Sequence, residues 1–476
     1  MSDNLYDLLA ARFPADPAAA CFLLAGSAIS YGELVETTGR LAALLIARGV
    51  APGDRVAVQT DKSPQAVMLY LATLKAGAVY LPLNTAYTAA EVDYFLKDAE
   101  PRLFVQDAVA LAAEARAFAP LATTVPRAGA DLASIIYTSG TTGRSKGAML
   151  SHASLAANAL ALHEIWGFSR TDVLLHALPI FHVHGLFVAL HCAFLSGAPM
   201  VWLAKFSEAE VIAGLARSTV MMGVPTFYTR LLAAPAFTRQ VADHMRLFIC
   251  GSAPLLESTF AAFEARTGMR ILERYGMSEA VIITSNPLDG ARIAGSVGYP
   301  LPGVALRIDG GETGVIQIKG PSVFAAYWRM PEKTAEEFTA DGWFITGDVG
   351  RIDPDGRLWI SGRAKDLIIS GGFNVYPKEI ELILDELPGV VESAVIGVPH
   401  PDFGEAVVAV VEGAGDEAAL IAQARASLAA FKAPTRILFV GELPRNAMGK
   451  VQKARLRQQH AGLFGLTKPR LRPPRG

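Results

Sequence analysis

The sequence predicts an α/β protein: a large N-terminal domain of mainly parallel sheets with flanking helices, then a small α+β domain. Three observations predict it. Over the first two thirds, short apolar β-type runs alternate with helical periodicity, the pattern of parallel strands joined by crossover helices. From about Gly310 the runs shorten and turn signals crowd between them. Across 476 residues, hydrophobic types make up 51% and charged types only 18%, enough to fill more than one core and too apolar for disorder.

The first strand signal in this pattern is Arg55-Val56-Ala57-Val58. Ser63-Pro64 then supplies an N-cap and a proline at the first helical position, and Gly77 closes that helix. Further strands are expected at Ala78 to Leu81, Leu103 to Val105, Thr219 to Met222 and Leu247 to Cys250. Beyond Gly310 come Val315 to Ile318, Trp343 to Ile345, and Leu358 to Ile360 after the turn Asp353-Pro354-Asp355-Gly356. A domain boundary is expected at 362/363. The second domain, 363–463, carries a helix at Lys378 to Leu387, strands at Ala394 to Val398 and Val407 to Val411, and a helix at Glu417 to Ala430. Residues 464–476, with Lys468, Arg470, Arg472 and Arg475 and no acid, read as a flexible basic tail.

Composition excludes several functions. Lys plus Arg (43) against Asp plus Glu (45) leaves a net charge of −2, which gives no broad basic surface for nucleic acid. Cys21, Cys192 and Cys250 form no close pair, so neither a disulfide framework nor a CxxC metal site is written here. Met1 to Ala20 has four charges and no apolar core, unlike a signal peptide. The cytoplasm is the expected compartment. Gly185 to Ala204 lacks Asp, Glu, Lys and Arg, but Ser196-Gly197-Ala198-Pro199 breaks it into a buried helix and a short strand. No membrane partner is expected.

The strongest chemical signal follows the apolar run Ile135-Ile136-Tyr137. Thr138, Ser139, Gly140, Thr141, Thr142, Gly143, Arg144, Ser145, Lys146 and Gly147 form a loop of small, hydroxyl and glycine residues with one lysine. Glycines let the backbone approach a phosphate, N–H and hydroxyl groups donate to its oxygens, and the lysine adds a mobile charge. The spacing is not that of a Walker loop, because Ser145 stands where the second glycine belongs.

With four more motifs in order, the sequence resembles the adenylate-forming superfamily of acyl-CoA synthetases, adenylation domains and luciferases. Tyr275-Gly276-Met277-Ser278-Glu279 is similar to the segment that supplies the Mg²⁺ glutamate, and Thr346-Gly347-Asp348 to the loop whose aspartate holds the ribose hydroxyls. Gly362-Arg363-Ala364-Lys365-Asp366 and Ser370-Gly371-Gly372-Phe373 resemble the hinge and the pantetheine-tunnel loop. Pro444-Arg445-Asn446-Ala447-Met448-Gly449-Lys450 resembles the catalytic-lysine motif. The resemblance covers essentially the whole chain and implies ATP, Mg²⁺ and coenzyme A as cofactors, with the C-terminal domain acting as a mobile lid.

It also assigns roles. Glu279 with Thr138 would hold the metal, Asp348 and Arg363 the ribose, and Gly251, Ala253, Tyr275, Gly276 and Ser278 the rest of the nucleotide. Lys365 is the hinge, Gly371 and Gly372 line the thiol's path, and Lys450 bridges carboxylate and α-phosphate. Each role has a physical reason. A carboxylate and ATP repel one another until cations neutralise them, an aspartate accepts two bonds from a vicinal diol, and a lysine stabilises charge as it builds up. His182, in Pro179-Ile180-Phe181-His182-Val183-His184-Gly185, matches the residue that gates the acyl pocket. His182-x-His184 alone suggests a metal, but no further ligands accompany it.

For the acid, Met222 to Arg230, Gly251-Ser252-Ala253-Pro254 and Thr284 to Pro287 look like malonyl-CoA synthetases. Arg292, with Ser252 and His182 beside the acyl group, is the cation expected to pair with a second carboxylate. Ala280 to Ile283 depart from the malonate pattern, so methylmalonate or another short acid is the alternative. A carrier-protein adenylation domain, a luciferase-like oxygenase and a non-catalytic relative are weaker alternatives. The spacing Pro444, Gly449, Lys450 also resembles a bacterial acetylation site, which implies an acetyltransferase and a deacetylase as partners.

Overall fold

The computed structural model describes residues 3–138, 145–445 and 451–465. The chain divides into two compact units. One comprises Met1–Arg307, Gln317–Ile345 and Asp353–Trp359, the other Ile308–Ile316, Thr346–Ile352 and Ile360–Gly476.

The first unit holds two α/β sheets. In the larger, six strands run parallel: Leu272–Tyr275, Leu247–Cys250, Val220–Gly223, Leu174–His176, Met200–Trp202 and Ala20–Leu23. Antiparallel strands finish both edges, Ala28–Ser30 at one and Thr284–Ser285 with Tyr299–Pro300 at the other. These central strands read as continuous apolar runs because helices cover both faces. Leu175, Met221, Phe248, Tyr228, Phe260 and Phe263 pack into one of its cores.

The smaller sheet orders Leu103–Val105, Arg55–Val58, Val79–Pro82, Leu132–Thr138 and Lys146–Ser151. All are parallel except the last, which folds back antiparallel and pairs Lys146 with Thr138. Thr138 ends its strand at the C-terminal edge of the sheet, where open α/β sheets bind ligands. Ser63 caps the helix Pro64–Lys75 by accepting from the Ala66 N–H, as the Ser-Pro pair predicts.

The expected helix-and-strand division of 185–204 holds: His184–Ala189 is a π-helical turn, Leu190–Ser196 is α-helical and Met200–Trp202 is a strand. No described helix is long and apolar enough to cross a membrane.

In the second unit the hairpin Val390–His400 with Gly404–Gly413 forms the sheet's centre, with Arg436–Val440 parallel to the second strand. Ile368–Ser370 pairs with that second strand at Gly404, and Phe373–Val375 pairs with Ile368–Ser370 in turn. Helices Pro377–Leu384 and Glu417–Ser427 bury Ile380, Leu384, Leu420 and Ala424 against Val395, Val407, Ala409 and Val411. The fold class expected from the sequence, mainly parallel sheets followed by a small α+β portion, is the one observed. The tail expectation for 466–476 lies outside the described residues.

Candidate active site

In the first unit, Thr138 ends one strand and Lys146 begins the next, with the Thr138 hydroxyl 3.4 Å from the Lys146 carbonyl. Ser139, Gly140, Thr141, Thr142 and Gly143 fall between them, outside the described residues. Lys146 Nζ lies 3.1 Å from Glu337 Oε1 and 4.2 Å from the centroid of the Tyr327 ring. Glu279 follows the strand Leu272–Tyr275 through Gly276 and Ser278, and is only 6% exposed. Its Oε1 accepts from the Tyr327 hydroxyl at 2.9 Å. The segment after it is strained: Val281, β-branched, sits at φ +59°, a conformation stored mainly at functional sites.

The acyl candidates gather behind the strand Leu247–Cys250. Gly251 is buried, while Ser252 and Ala253 are exposed. Ser252 takes φ +73°, and its hydroxyl lies 3.2 Å from His184 Nδ1. His184 is buried, which together with the Arg274 charge holds its pKa well below the ordinary value. It is therefore a neutral hydrogen-bonding group. His182 is half-buried, its ring 5.0 Å from Phe181, and burial lowers its pKa to about 4.

Arg292 has a different setting. Its guanidinium donates to the carbonyls of Pro287 at 3.1 Å, Arg270 at 2.7 Å and Leu288 at 2.7 Å. Those bonds close a loop on itself and commit the fork to backbone.

The residue that sequence reasoning missed is Arg274. It sits on Leu272–Tyr275, 4% exposed, with Nε and Nη2 lacking any hydrogen-bond partner. A Cβ built at Gly251 would stand 2.6 Å from its Cζ and Nε, so glycine there is what lets the guanidinium come up against the Gly251 backbone. Burial lowers the Arg274 pKa to about 10, which leaves it charged at neutral pH. Its neighbour Glu273 does not neutralise it: burial raises that carboxyl to about 8. A buried cation with idle donors is costly to the fold unless an anion pairs with it. The signal was available as two charged residues inside an otherwise apolar strand, Leu272-Glu273-Arg274-Tyr275.

In the second unit, Asp348 is 4% exposed and Arg363 Nε lies 2.6 Å from its Oδ1. The Asp348 N–H donates to Thr346 Oγ1, which itself donates to the Ile316 carbonyl. Lys365 is exposed in the 3-10 turn Ala364–Asp366. Gly371 and Gly372, at φ +58° and +84°, make the two-residue turn between Ile368–Ser370 and Phe373–Val375, a geometry that side chains resist. Lys450 lies outside the described residues; the strand-like bridge of Arg445 with Val451 flanks its segment.

Among the described residues no three His, Cys, Asp or Glu side chains cluster to hold a metal by themselves. Glu279 and Thr138 offer one carboxylate and one hydroxyl. That hard-oxygen set fits Mg²⁺, which takes about one or two carboxylates and completes its shell with phosphate and water.

A family model for the AMP-binding enzyme matches residues 9–328, and one for the AMP-binding enzyme C-terminal domain matches 379–450. The chain belongs to the AMP-binding enzyme family. This bears out the resemblance to adenylate-forming enzymes. The chain is 35% identical to malonate–CoA ligase of Arabidopsis thaliana, over 91% of this chain and 85% of that one. It is 36% identical to sulfoacetate–CoA ligase of Cupriavidus necator, over 94% and 95%. ATP-bound MatB from Rhodopseudomonas palustris superposes with a TM-score of 0.93 at 50% identity, covering 98% of this chain and 100% of that one. The family's two models thus fall on the segments that carry Thr138 to Glu279 and Gly449-Lys450.

Proposed function

We propose that this chain is an acid–CoA ligase that joins malonate to coenzyme A through a malonyl-adenylate, using ATP and Mg²⁺. The observation that carries the choice of acid is Arg274, a buried guanidinium with unpaired donors against Gly251. A monocarboxylate would leave that charge uncompensated. A short acid with a second anionic group satisfies it, and the similar malonate and sulfoacetate ligases are named for acids of that kind. Arg274 therefore takes the role expected of Arg292.

A malonate oxygen attacks the α-phosphorus of ATP, the bond to pyrophosphate breaks, and malonyl-AMP forms. The thiol of coenzyme A then loses its proton, its sulfur attacks the acyl carbon, and AMP leaves. Arg274 holds the carboxylate that does not react, and Ser252 with neutral His184 offers hydrogen bonds beside it. Glu279 and Thr138 are the residues that would hold Mg²⁺, which neutralises charge on the phosphate oxygens. Asp348 receives the ribose hydroxyls, and Arg363 orients that carboxylate. Lys450 serves adenylation, the Gly371-Gly372 turn serves thioester formation, and Lys365 is the pivot between the two, with 1–362 and 363–463 as the working domains.

We place the reaction in the cytoplasm, on the absence of any paired cysteines. An acetyltransferase and deacetylase acting on Lys450 would switch it, because acetylation removes the charge adenylation needs. Full acetylation should abolish pyrophosphate release yet spare thioester formation from supplied malonyl-AMP; equal loss of both steps would refute the role.

The test of the function is CoA-dependent AMP release across malonate, methylmalonate, sulfoacetate, acetate and succinate. Malonate should lead. Leadership by acetate would remove the argument from Arg274, and leadership by sulfoacetate would retain the receptor but change the anion.

A further inference from the structure

One segment outside all the motifs ties the phosphate loop to the metal carboxylate. Residues 324–328 run between them as a backbone bracket. At one end the Phe324 N–H donates to the Glu279 carbonyl at 2.7 Å. At the other the Trp328 N–H donates to the Gly147 carbonyl at 2.8 Å, and the Met149 N–H to the Ala326 carbonyl at 3.0 Å. Gly147 and Met149 belong to the strand Lys146–Ser151 that leads out of the phosphate loop.

Tyr327 sits in the middle of this bracket, 3% exposed. Its hydroxyl donates to Glu279 Oε1 at 2.9 Å, and its ring lies 4.2 Å from Lys146 Nζ. The backbone is pinned as well, with the Tyr327 N–H donating to Thr334 Oγ1 at 3.0 Å. A single side chain therefore touches both the acid and the base that meet the nucleotide's charge.

We propose that Tyr327 is a positioning residue that sets the Glu279 carboxylate for the divalent cation and couples it to Lys146. A hydroxyl donating to one carboxylate oxygen holds that group's rotamer and so sets the direction from which the carboxylate meets the ion. Partners that orient a metal ligand in this way are typically worth about 10- to 100-fold in metal affinity. The ring contributes separately, since a lysine above an aromatic face is held by the ring quadrupole. Phenylalanine would keep the ring, its packing on Phe324 at 4.7 Å and the contact with Lys146, and lose only the hydroxyl.

The inference rests on the ATP-using part of the proposed function and not on the identity of the acid. Its test needs no acid. An ATP analogue with methylene in place of the α,β-bridging oxygen is titrated into Tyr327→Phe by calorimetry, over a series of Mg²⁺ concentrations and in EDTA. The Mg²⁺ concentration giving half of the tightening should rise about tenfold or more, with affinity in EDTA unchanged. Glu279→Gln should blunt the Mg²⁺ effect, and adding Tyr327→Phe to it should change little more, because the hydroxyl would have no charged partner to orient. An unchanged Mg²⁺ midpoint, equal weakening with and without Mg²⁺, or additive effects in the double variant would each overturn the proposal. Failure of the unaltered protein to bind the analogue at all would overturn the nucleotide reading with it.

Discussion

Arg274 and Arg292 lie 18 positions apart (292 − 274) in the same unit and are opposites. Arg292 stands in a loop, half-buried, with three carbonyls around its fork. Arg274 stands on a central strand, 4% exposed, with two nitrogens unpartnered. By sequence Arg292 is the expected receptor, the cation 13 positions beyond Glu279 (292 − 279) in a stretch similar to malonyl-CoA synthetases. Burial and satisfaction favour Arg274 instead. A guanidinium whose donors are matched by backbone lowers the energy of the folded loop. One held dry and unmatched raises it, and such a cost persists where a ligand removes it.

The largest effect expected from this contrast is on specificity. Arg274→Leu should lower kcat/KM for malonate by roughly a hundred- to a thousandfold. A charge-assisted hydrogen bond contributes about 1.5–3 kcal/mol, and a stranded carboxylate costs more, at about 1.4 kcal/mol per decade. Propionate, which has no second charge, should be used as well as before or better. Thermal stability should hold or rise, since replacing an unpaired buried charge with an apolar side chain is commonly stabilising. Steady-state kinetics on the two acids decides it: parallel loss of both would make Arg274 structural.

Arg292→Leu should do the reverse and less. Removing a fork from three carbonyls, some of them near solvent, costs on the order of 1–3 kcal/mol in all. The melting temperature should drop by a few degrees while the malonate-to-propionate ratio of kcat/KM stays within about twofold. A collapse of that ratio would return the receptor to Arg292 and break the comparison.

Most of the fold could be read in the sequence, and the reasons differ by region. The apolar runs at Arg55–Val58, Leu247–Cys250 and the Ser63-Pro64 cap act locally, so pattern alone locates them. Motifs with several small residues in fixed order, such as Thr138 to Gly147 and Tyr275 to Glu279, carried the resemblance to the family the chain belongs to. What the sequence withheld depends on distant partners. Nothing in one dimension shows that the Tyr327 hydroxyl reaches Glu279, 48 positions earlier (327 − 279), or that Pro287, Leu288 and Arg270 occupy Arg292. Helix ends slipped by a residue or a few for the usual reason: Glu417–Ser427 stops short of Ala430 because Leu428 already adopts extended backbone.

An effect confined to pH dependence tests the charge of Arg274 through its neighbour Glu273. That carboxyl is 4% exposed, with Oε1 accepting from the Leu255 N–H at 3.2 Å and Oε2 unpartnered. Burial raises its pKa from 4.5 to about 8, against the lowering effects of the Leu255 N–H and Arg274, while Glu257 adds to the rise. The folded state therefore holds a proton between about pH 4.5 and 8 that the unfolded chain releases. Stability from this site is full below about pH 4.5 and declines as pH rises toward about 8. Glu273→Gln keeps the oxygen that accepts from Leu255 and cannot ionise, so this decline should vanish. The difference between variant and parent should grow by up to about 1.4 kcal/mol per pH unit inside that window. Groups common to both proteins cancel in the comparison. Denaturant midpoints at half-unit steps from pH 5 to 8.5 give the comparison directly. Parallel curves would mean that Glu273 is ionised at neutral pH, and its charge would then offset part of that of Arg274 even without a direct ion pair.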